Sequence, residues 1–182
     1  MKKEDVILFS GAAIGAESAF GELAEKLGIE EVNYSFEGHE TAHNRGIRIL
    51  THEELQQGDV SLAYISKLMN RQYSETAVFR KIIQTIWHQI NNSQQVFVIG
   101  KILSDNTVKG GTGWGAEFAK ICNKELFVFD QEKDKWFTWT GSLWRSVETP
   151  KITASHFCGT GTRMLNETGK KAIEELFNIS FE

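Results

Sequence analysis

The segment QVFVIG at residues 95–100 is followed by KGGTGWGAEF at residues 109–118, which is the pattern of a buried strand, a glycine-rich loop and a helix. Glycines ahead of a helix let backbone N–H groups approach an anion, and the N-terminus of a helix carries partial positive charge. The spacing of Gly111, Gly113 and Ala116 also satisfies the loose G-x-G-x-x-A form of the dinucleotide-binding pattern. The loop therefore predicts a phosphate site, and a tight turn without a ligand is the alternative.

Strands and helices alternate along the chain on both sides of this loop. Short apolar runs predict strands at residues 6–10, 31–36, 95–100 and 126–130, and apolar residues at helical spacing predict helices at residues 17–27, 60–70, 74–92 and 167–177. A capping box at residues 51–54 opens a further short helix, and residues 135–147 form an aromatic hairpin. This order predicts an α/β protein with a Rossmann-like parallel sheet, helices on both faces and a C-terminal β-hairpin, in a single domain of residues 1–182.

Three glycine-containing segments, at residues 11–17, 110–117 and 159–163, each follow a predicted strand or extended segment. In parallel sheets, ligands bind beyond the carboxyl ends of the strands, where loops lead into helices. We therefore expect the three loops to lie on one rim of the sheet and to bind a small nucleotide together. The predicted ligand-binding residues are Ser10, Gly11, Ala12, Gly15, Glu17, Gly100, Lys109, Gly110, Gly111, Thr112, Gly113, Trp114, Gly159, Thr160, Gly161, Thr162 and Arg163.

Several of these side chains suggest a specific role, each with a structural alternative. Arg163 would bind a phosphate bidentately and Lys109 would add positive charge, whereas the alternative for Arg163 is a surface position in the first turn of a helix. Trp114, or a tryptophan of the hairpin, would stack on a base, whereas packing in the hairpin or the core is the alternative for each of them. Glu17 would either cap the helix that it opens or accept a hydrogen bond from a ribose hydroxyl.

The composition limits the classes of partner. The 182 residues carry a net charge of −4 and a pI of about 5.8, which argues against a nucleic-acid polymer. The absence of a long apolar run and of a signal-peptide pattern predicts a cytoplasmic protein without a membrane partner. Cys122 and Cys158 are expected to be reduced thiols, and no spacing of cysteines or histidines predicts a metal or a cofactor. His88 and Glu31 are expected on solvated faces.

The segment GGTGWGAE at residues 110–117 fits the spacing G-G-x-G-x-x-x-E and resembles the SMF/DprA–LOG (SLOG) superfamily of Rossmann-like nucleotide-binding proteins. The nearest enzymes of that superfamily are the Lonely Guy type phosphoribohydrolases, which carry P-G-G-x-G-T-x-x-E after a strand. The resemblance covers roughly residues 5–130 and includes the small-residue loop FSGAAIGAE. Lys109 stands at the position of the proline and Trp114 at that of the threonine.

The resemblance also implies roles for charged residues. In the phosphoribohydrolases, the glutamate of the motif and an upstream arginine serve cleavage of the base–ribose bond. That glutamate corresponds to Glu117, and Arg80 is the nearest candidate for the arginine, with Arg71 as a second candidate. An enzyme of this type would be a nucleoside 5′-monophosphate phosphoribohydrolase that uses Glu117.

Other members of the superfamily sense nucleotide signals, and phage anti-defence proteins sequester such signals. Our leading interpretation is therefore a protein that binds a small nucleotide-derived ligand, of the ADP-ribose, NAD-derived or cyclic type, and the phosphoribohydrolase is the alternative. Binding of single-stranded DNA, as in the DprA branch, fits the acidic charge poorly. Many relatives are dimers, and the apolar helix at residues 74–92 leads us to expect a homo-oligomer.

Overall fold

The computed structural model describes residues 1–73 and 76–181. The strands are β1 (Ile7–Ser10), β2 (Glu30–Ser35), β3 (Ile47–Ile49), β4 (Gln95–Gly100), β5 (Glu125–Asp130), β6 (Lys135–Trp139), β7 (Trp144–Val147) and β8 (His156–Gly161). The helices are α1 (Ala16–Leu27), α2 (His52–Gln56), α3 (Asp59–Met69), α4 (Ala77–Asn91), α5 (Thr112–Ile121) and α6 (Glu167–Phe181). The first two positions of the helix predicted at residues 74–92, Ser74 and Glu75, lie outside the described residues.

The eight strands form one sheet in the order β3-β2-β1-β8-β4-β5-β6-β7. The strands from β3 to β5 in this order are parallel, whereas β6 and β7 continue the sheet as an antiparallel hairpin. The predicted α/β fold, with its Rossmann-like sheet and its hairpin, is therefore confirmed. The capping box that opens α2 is also confirmed, because Thr51 accepts from the Glu54 N–H and Glu54 accepts from the Thr51 N–H.

Alternate side chains of the central strands enter two separate apolar cores. In β4, Val96 and Val98 pack against α3, α4 and α5 on one face of the sheet. Phe97 and Ile99 pack against α1 and α6 on the other face. All four side chains are fully buried, and burial of such a side chain stabilises the fold by roughly 1.5–3 kcal/mol. Helices therefore cover both faces, as a strand with apolar side chains on both faces requires.

The predicted glycine loop at residues 159–163 belongs largely to strand β8, which lies between β1 and β4 at the centre of the sheet. A Cβ at Gly159 would overlap the ring of Phe20, and a Cβ at Gly161 would overlap the backbone of Ile99. Glycine in a strand marks such a close approach of neighbouring elements. The glycines thus let α1 pack on the strand, and the chain leaves β8 only at residue 162.

Two side chains expected on solvated faces are buried instead. His88 packs between α4 and α2, where its Nε2 lies 2.7 Å from the carbonyl oxygen of Glu54 and burial lowers its pKa. Successive side chains of a strand point to opposite faces. Glu30 of β2 is exposed, and Glu31 therefore faces inwards. Its carboxylate accepts a hydrogen bond from Arg45 at 2.8 Å and lies 3.0 Å from Nε2 of His43. This cluster joins the segment after β2 to α1.

Helix α4 places its apolar stripe in the core, where Ile83, Ile86 and Ile90 are buried. The stripe that led us to expect a homo-oligomer is thus accounted for by packing within the chain, and the homo-oligomer stays a prediction. No helix among residues 1–73 and 76–181 is long and apolar enough to cross a membrane.

Candidate functional site

A cavity of about 830 Å³ lies at the carboxyl ends of the parallel strands. Its walls come from the segments that follow β1, β2, β4, β5 and β8, together with one side of α4. This is the edge of an open α/β sheet at which ligands bind. The lining residues are Ala13, Glu17, Phe36, Gly38, His39, Glu40, Val78, Phe79, Ile82, Ile86, Gly100, Lys101, Lys109, Gly110, Gly111, Thr112, Gln131, Glu132, Gly161, Thr162, Arg163, Met164 and Asn166.

The structure brings the three predicted segments together, but only some of their residues line the cavity. Those that do are Glu17, Gly100, Lys109, Gly110, Gly111, Thr112, Gly161, Thr162 and Arg163. The other predicted ligand-binding residues lie behind the cavity wall. They are Ser10, Gly11, Ala12, Gly15, Gly113, Trp114, Gly159 and Thr160.

The glycine loop presents backbone groups to the cavity at the start of α5. Gly110 has a φ of +72°, which favours glycine, and Gly111 precedes the first helical residue, Thr112. No hydrogen bond to another described residue uses the N–H groups of Gly110 and Gly111. Free N–H groups at the N-terminus of a helix attract anions. The loop therefore has the geometry of a phosphate site.

Arg71 holds the glycine loop from behind. Its guanidinium donates to the carbonyl oxygens of Val108 at 2.9 Å and Gly110 at 3.1 Å, and to Oγ1 of Thr107 at 2.7 Å. A Cβ at Gly113 would overlap the same guanidinium, so this glycine makes room for Arg71 and not for a ligand. Arg71, the second candidate for the catalytic arginine, does not line the cavity and instead positions the loop.

The prediction that Trp114 stacks on a base is wrong. Its ring is buried against α3, and its Nε1 donates to Oγ of Ser66 at 2.8 Å. The other predicted tryptophans are also directed elsewhere: Trp136 is part of the core, and Trp139 and Trp144 pack against each other in the hairpin. None of the four lines the cavity.

Glu117 is directed away from the cavity, in contrast to the role implied by the resemblance. It lies five residues after Thr112, which rotates it roughly 140° around α5 from the cavity side. Its carboxylate pairs with Lys120 at 2.6 Å, and the Lys120 ammonium lies 4.0 Å from the ring centre of Trp139 and 4.9 Å from that of Trp144. Glu117 thus helps to fasten the hairpin to α5.

Arg80 likewise does not line the cavity. It pairs with Asp59 at 3.0 Å and lies over the ring of Tyr73 at 5.1 Å, which ties α4 to α3. The geometry therefore does not support Glu117 and Arg80 as a catalytic pair.

Glu17 is a buried carboxylate in the cavity wall, whereas Glu40 and Glu132, which also line the cavity, are exposed. Only 7% of Glu17 is exposed, and this burial raises the pKa of its carboxyl group. Oε1 accepts hydrogen bonds from Thr160 at 2.9 Å and Gln89 at 3.1 Å, and Oε2 accepts one from the Ala13 N–H at 3.2 Å. A Cβ at Gly11 would overlap this carboxylate. Gly11 and Thr160 were predicted to bind the ligand. Gly11 instead leaves space for the Glu17 carboxylate, and Thr160 donates a hydrogen bond to it.

Sequence reasoning missed an aromatic wall on the opposite side of the cavity. The ring of His39 stacks on Phe36 with 4.6 Å between centres, and its Nδ1 lies 2.9 Å from Oγ of Ser35. Burial and the positive charge of Arg163 lower the pKa of His39, which favours the neutral ring. Phe79 of α4 also lines the cavity. The only signal in the sequence was the position of residues 36–40 after a predicted strand.

The positive charges at the cavity differ in their availability. Lys101 pairs with Glu132 at 2.8 Å. Lys109 and Arg163 are exposed, and neither forms an ion pair with any other residue that the structure describes. Within the described residues, no group of three or more His, Cys, Asp or Glu side chains could hold a metal ion.

Comparison with known proteins adds no relative, since no protein-family model matches the sequence and no significant match is found among curated proteins or solved structures.

Proposed function

We propose that the protein binds a small nucleotide-derived ligand, of the ADP-ribose, NAD-derived or cyclic type, in the cavity at the carboxyl ends of its strands. The observation that carries this proposal is the combination of groups that line a single cavity. Within the described residues, a glycine loop whose N–H groups form no hydrogen bond, two cations that form no ion pair and an aromatic surface line the same cavity of about 830 Å³. That volume lies within the range of roughly 300–1,000 Å³ of small-molecule sites.

The phosphate of the ligand would bind beside the glycine loop. The N–H groups of Gly110 and Gly111 would donate to its oxygens, and the N-terminus of α5 would favour its negative charge. Lys109 and Arg163 would neutralise the phosphate from two sides, because both line the cavity and neither is engaged elsewhere among the described residues. An acidic protein can bind a small anion in this way without binding a polymer.

The base would pack on the aromatic wall. His39 and Phe79 are partly exposed and line the cavity, the buried ring of Phe36 lies against His39, and the neutral form of His39 adds no charge to this wall. Stacking on such surfaces tolerates any base, since every base has a flat π face. The apolar side chains Val78 and Ile82 extend the same wall.

Binding without turnover is the form of the proposal that the geometry favours, since Glu117 and Arg80 point away from the cavity. Retention of an intact nucleotide would suit a sensor of a nucleotide signal or a protein of phage type that sequesters such a signal. The superfamily resemblance supports the same class of ligand.

The test begins with native mass spectrometry of the purified protein, followed by extraction of any bound small molecule. Calorimetric titrations with AMP, ADP-ribose, NAD and 3′,5′-cyclic AMP then compare the wild type with the double variant Lys109→Ala/Arg163→Ala. We expect one of these nucleotides to bind intact and the double variant to weaken binding at least about tenfold, which is the loss of one charged contact.

The double variant Lys170→Ala/Lys171→Ala makes the same change of net charge on the exposed side of α6 and is the matched control. Failure of all four nucleotides to bind, or equal losses in both double variants, would overturn the proposal. Release of free base and ribose 5-phosphate from AMP would show turnover in place of retention.

A further inference from the structure

The cavity contains one buried carboxylate whose hydrogen-bonding capacity is only partly used. Oε1 of Glu17 accepts from Thr160 and Gln89, whereas Oε2 accepts only from the Ala13 N–H. An ionised carboxylate can accept about four hydrogen bonds, two at each oxygen. Oε2 therefore keeps one acceptor position, and Glu17 lines the cavity in which that position can be used.

The surroundings of Glu17 are arranged to hold its carboxylate in one orientation. The buried thiol of Cys158 donates to Oε1 of Gln89 at 3.9 Å, which turns the NH₂ group of Gln89 towards Glu17. Burial raises the pKa of Cys158, so the thiol keeps the proton that it donates. Thr160, from the central strand β8, supplies the second donor to Oε1. These contacts leave Oε2 as the atom available to a ligand.

The charge of this carboxylate is not balanced within the part of the chain that the structure describes, where no Lys, Arg or His pairs with Glu17. A buried charge without a partner is costly, so the site gains from any ligand that brings a hydrogen-bond donor to it. The free cations Lys109 and Arg163 at the same cavity favour an anionic ligand. The ligand thus combines a negative group with a hydrogen-bond donor, as a sugar phosphate does.

We propose that Glu17 determines the specificity of the cavity by accepting a hydrogen bond from a hydroxyl group of the ligand's ribose, so that the site selects ribonucleotides over their deoxy analogues. This inference rests on the proposed function, and it adds which part of the ligand is recognised. Acidic side chains bind ribose hydroxyls in other folds of this class. A deoxy analogue would leave the carboxylate buried without the donor, and sites built to bind a hydroxyl reject ligands that lack it.

The experiment is a set of calorimetric titrations with AMP, 2′-deoxy-AMP and 3′-deoxy-AMP at one pH and one salt concentration. For the wild type, we expect at least one deoxy analogue to bind more weakly than AMP by about 10- to 100-fold, the loss expected for a hydrogen bond to a charged group. For Glu17→Gln, we expect that difference to shrink to about threefold or less, because the charged acceptor is gone. The variant Glu22→Gln changes the charge equally on the exposed side of α1 and should keep the wild-type difference.

The outcomes separate the two proposals. If AMP and both analogues bind the wild type with similar affinity, the contact with Glu17 is wrong and the proposed function stands. If none of the three nucleotides binds, the inference falls, whereas the proposed function falls only if ADP-ribose, NAD and 3′,5′-cyclic AMP also fail to bind. The comparison of analogues on the wild type needs no variant, so it can refute the selection of ribonucleotides even if the Glu17→Gln protein fails to fold.

Discussion

The guanidinium of Arg71 occupies the space beside Gly113 that a side chain at this position would need. From there it donates to the carbonyl oxygens of Val108 and Gly110, so one arginine fixes both ends of the turn that leads into α5. One glycine of this pattern, Gly113, is therefore explained by the contact with the half-buried Arg71. Arg71 thus engages the carbonyl oxygens of the loop, while the N–H groups of Gly110 and Gly111 form no hydrogen bond to another described residue.

Replacement of Arg71 by Ala should therefore affect ligand binding as well as stability. The free energy of unfolding should fall by about 2 kcal/mol, since three hydrogen bonds from a charged donor are lost. The affinity for AMP should fall on the order of tenfold, because a displaced loop loses about one hydrogen bond to the phosphate. Urea denaturation and calorimetric titration measure the two effects.

Arg80→Ala is the matched control for Arg71→Ala. Arg80 is also half-buried and also holds two helices together, through Asp59 and Tyr73, but it does not line the cavity. Its loss should lower stability by about 1 kcal/mol and leave the affinity for AMP within about twofold of the wild type. Equal losses of affinity in both variants would mean that binding follows overall stability and not the position of the loop.

The ion pair between Glu117 and Lys120 leads to a prediction about the alternative enzymatic function. Glu117→Gln should leave the affinity for AMP unchanged and lower the free energy of unfolding by no more than about 1 kcal/mol. Lys120→Ala should cost about 2 kcal/mol, because it also removes the contacts with Trp139 and Trp144, and should change tryptophan fluorescence. Loss of a measured hydrolysis of AMP in Glu117→Gln would restore Glu117 as a catalytic residue.

The fold was predictable where buried strands have a distinctive composition. QVFVIG is buried along its whole length, and such continuous apolar runs indicate central strands of a parallel sheet. Strand β8 escaped prediction because Gly159, Thr160 and Gly161 replace the apolar run. Its place between β1 and β4 depends on pairing with segments far away in sequence. A local sequence pattern does not predict such pairing.

The site was predictable at the level of backbone segments and not at the level of side chains. Loops after parallel strands must meet at one edge, which is why Glu17, Gly110 and Arg163 share a cavity. The direction of a side chain within a helix depends on the elements packed around it. Trp114 therefore contacts α3 through Ser66. Glu117 pairs with Lys120, which contacts the hairpin.

Gly15 should tolerate substitution much less well than Gly141, although both have a positive φ of similar size. Their φ angles are +103° and +97°, so Ala at either position should cost roughly 1–2 kcal/mol of backbone strain. A Cβ at Gly15 would also overlap the backbone of Thr162 and Arg163, whereas nothing lies within 4 Å of that position at Gly141. The extra loss for Gly15→Ala should be a further roughly 1–3 kcal/mol.

Urea denaturation of Gly15→Ala and Gly141→Ala measures this difference directly. The difference reports the contact between the first loop and the segment after β8, since both glycines have a similar positive φ. Equal destabilisation by the two substitutions would show that the two segments are not packed together as described.

The buried carboxyl group of Glu17 should make the stability of the ligand-free protein depend on pH. Burial raises the pKa of Glu17, and its three hydrogen bonds only partly oppose this effect. The folded protein therefore holds the proton more strongly than the unfolded chain, whose glutamates titrate near about pH 4.3. This contribution to stability is fully present below that pH and is lost as the pH rises through the pKa of the folded protein.

Glu17→Gln carries no titrating group at this position, so its stability relative to the wild type should increase as the pH rises from 4.5 to 7.5. Urea denaturation of both ligand-free proteins at several pH values measures this trend. Glu22→Gln, on the exposed side of the same helix, controls for the change in net charge. The same substitution should weaken AMP binding, so that stability and binding change in opposite directions. A stability difference that is constant or falls with rising pH would contradict an uncompensated carboxylate in the cavity wall.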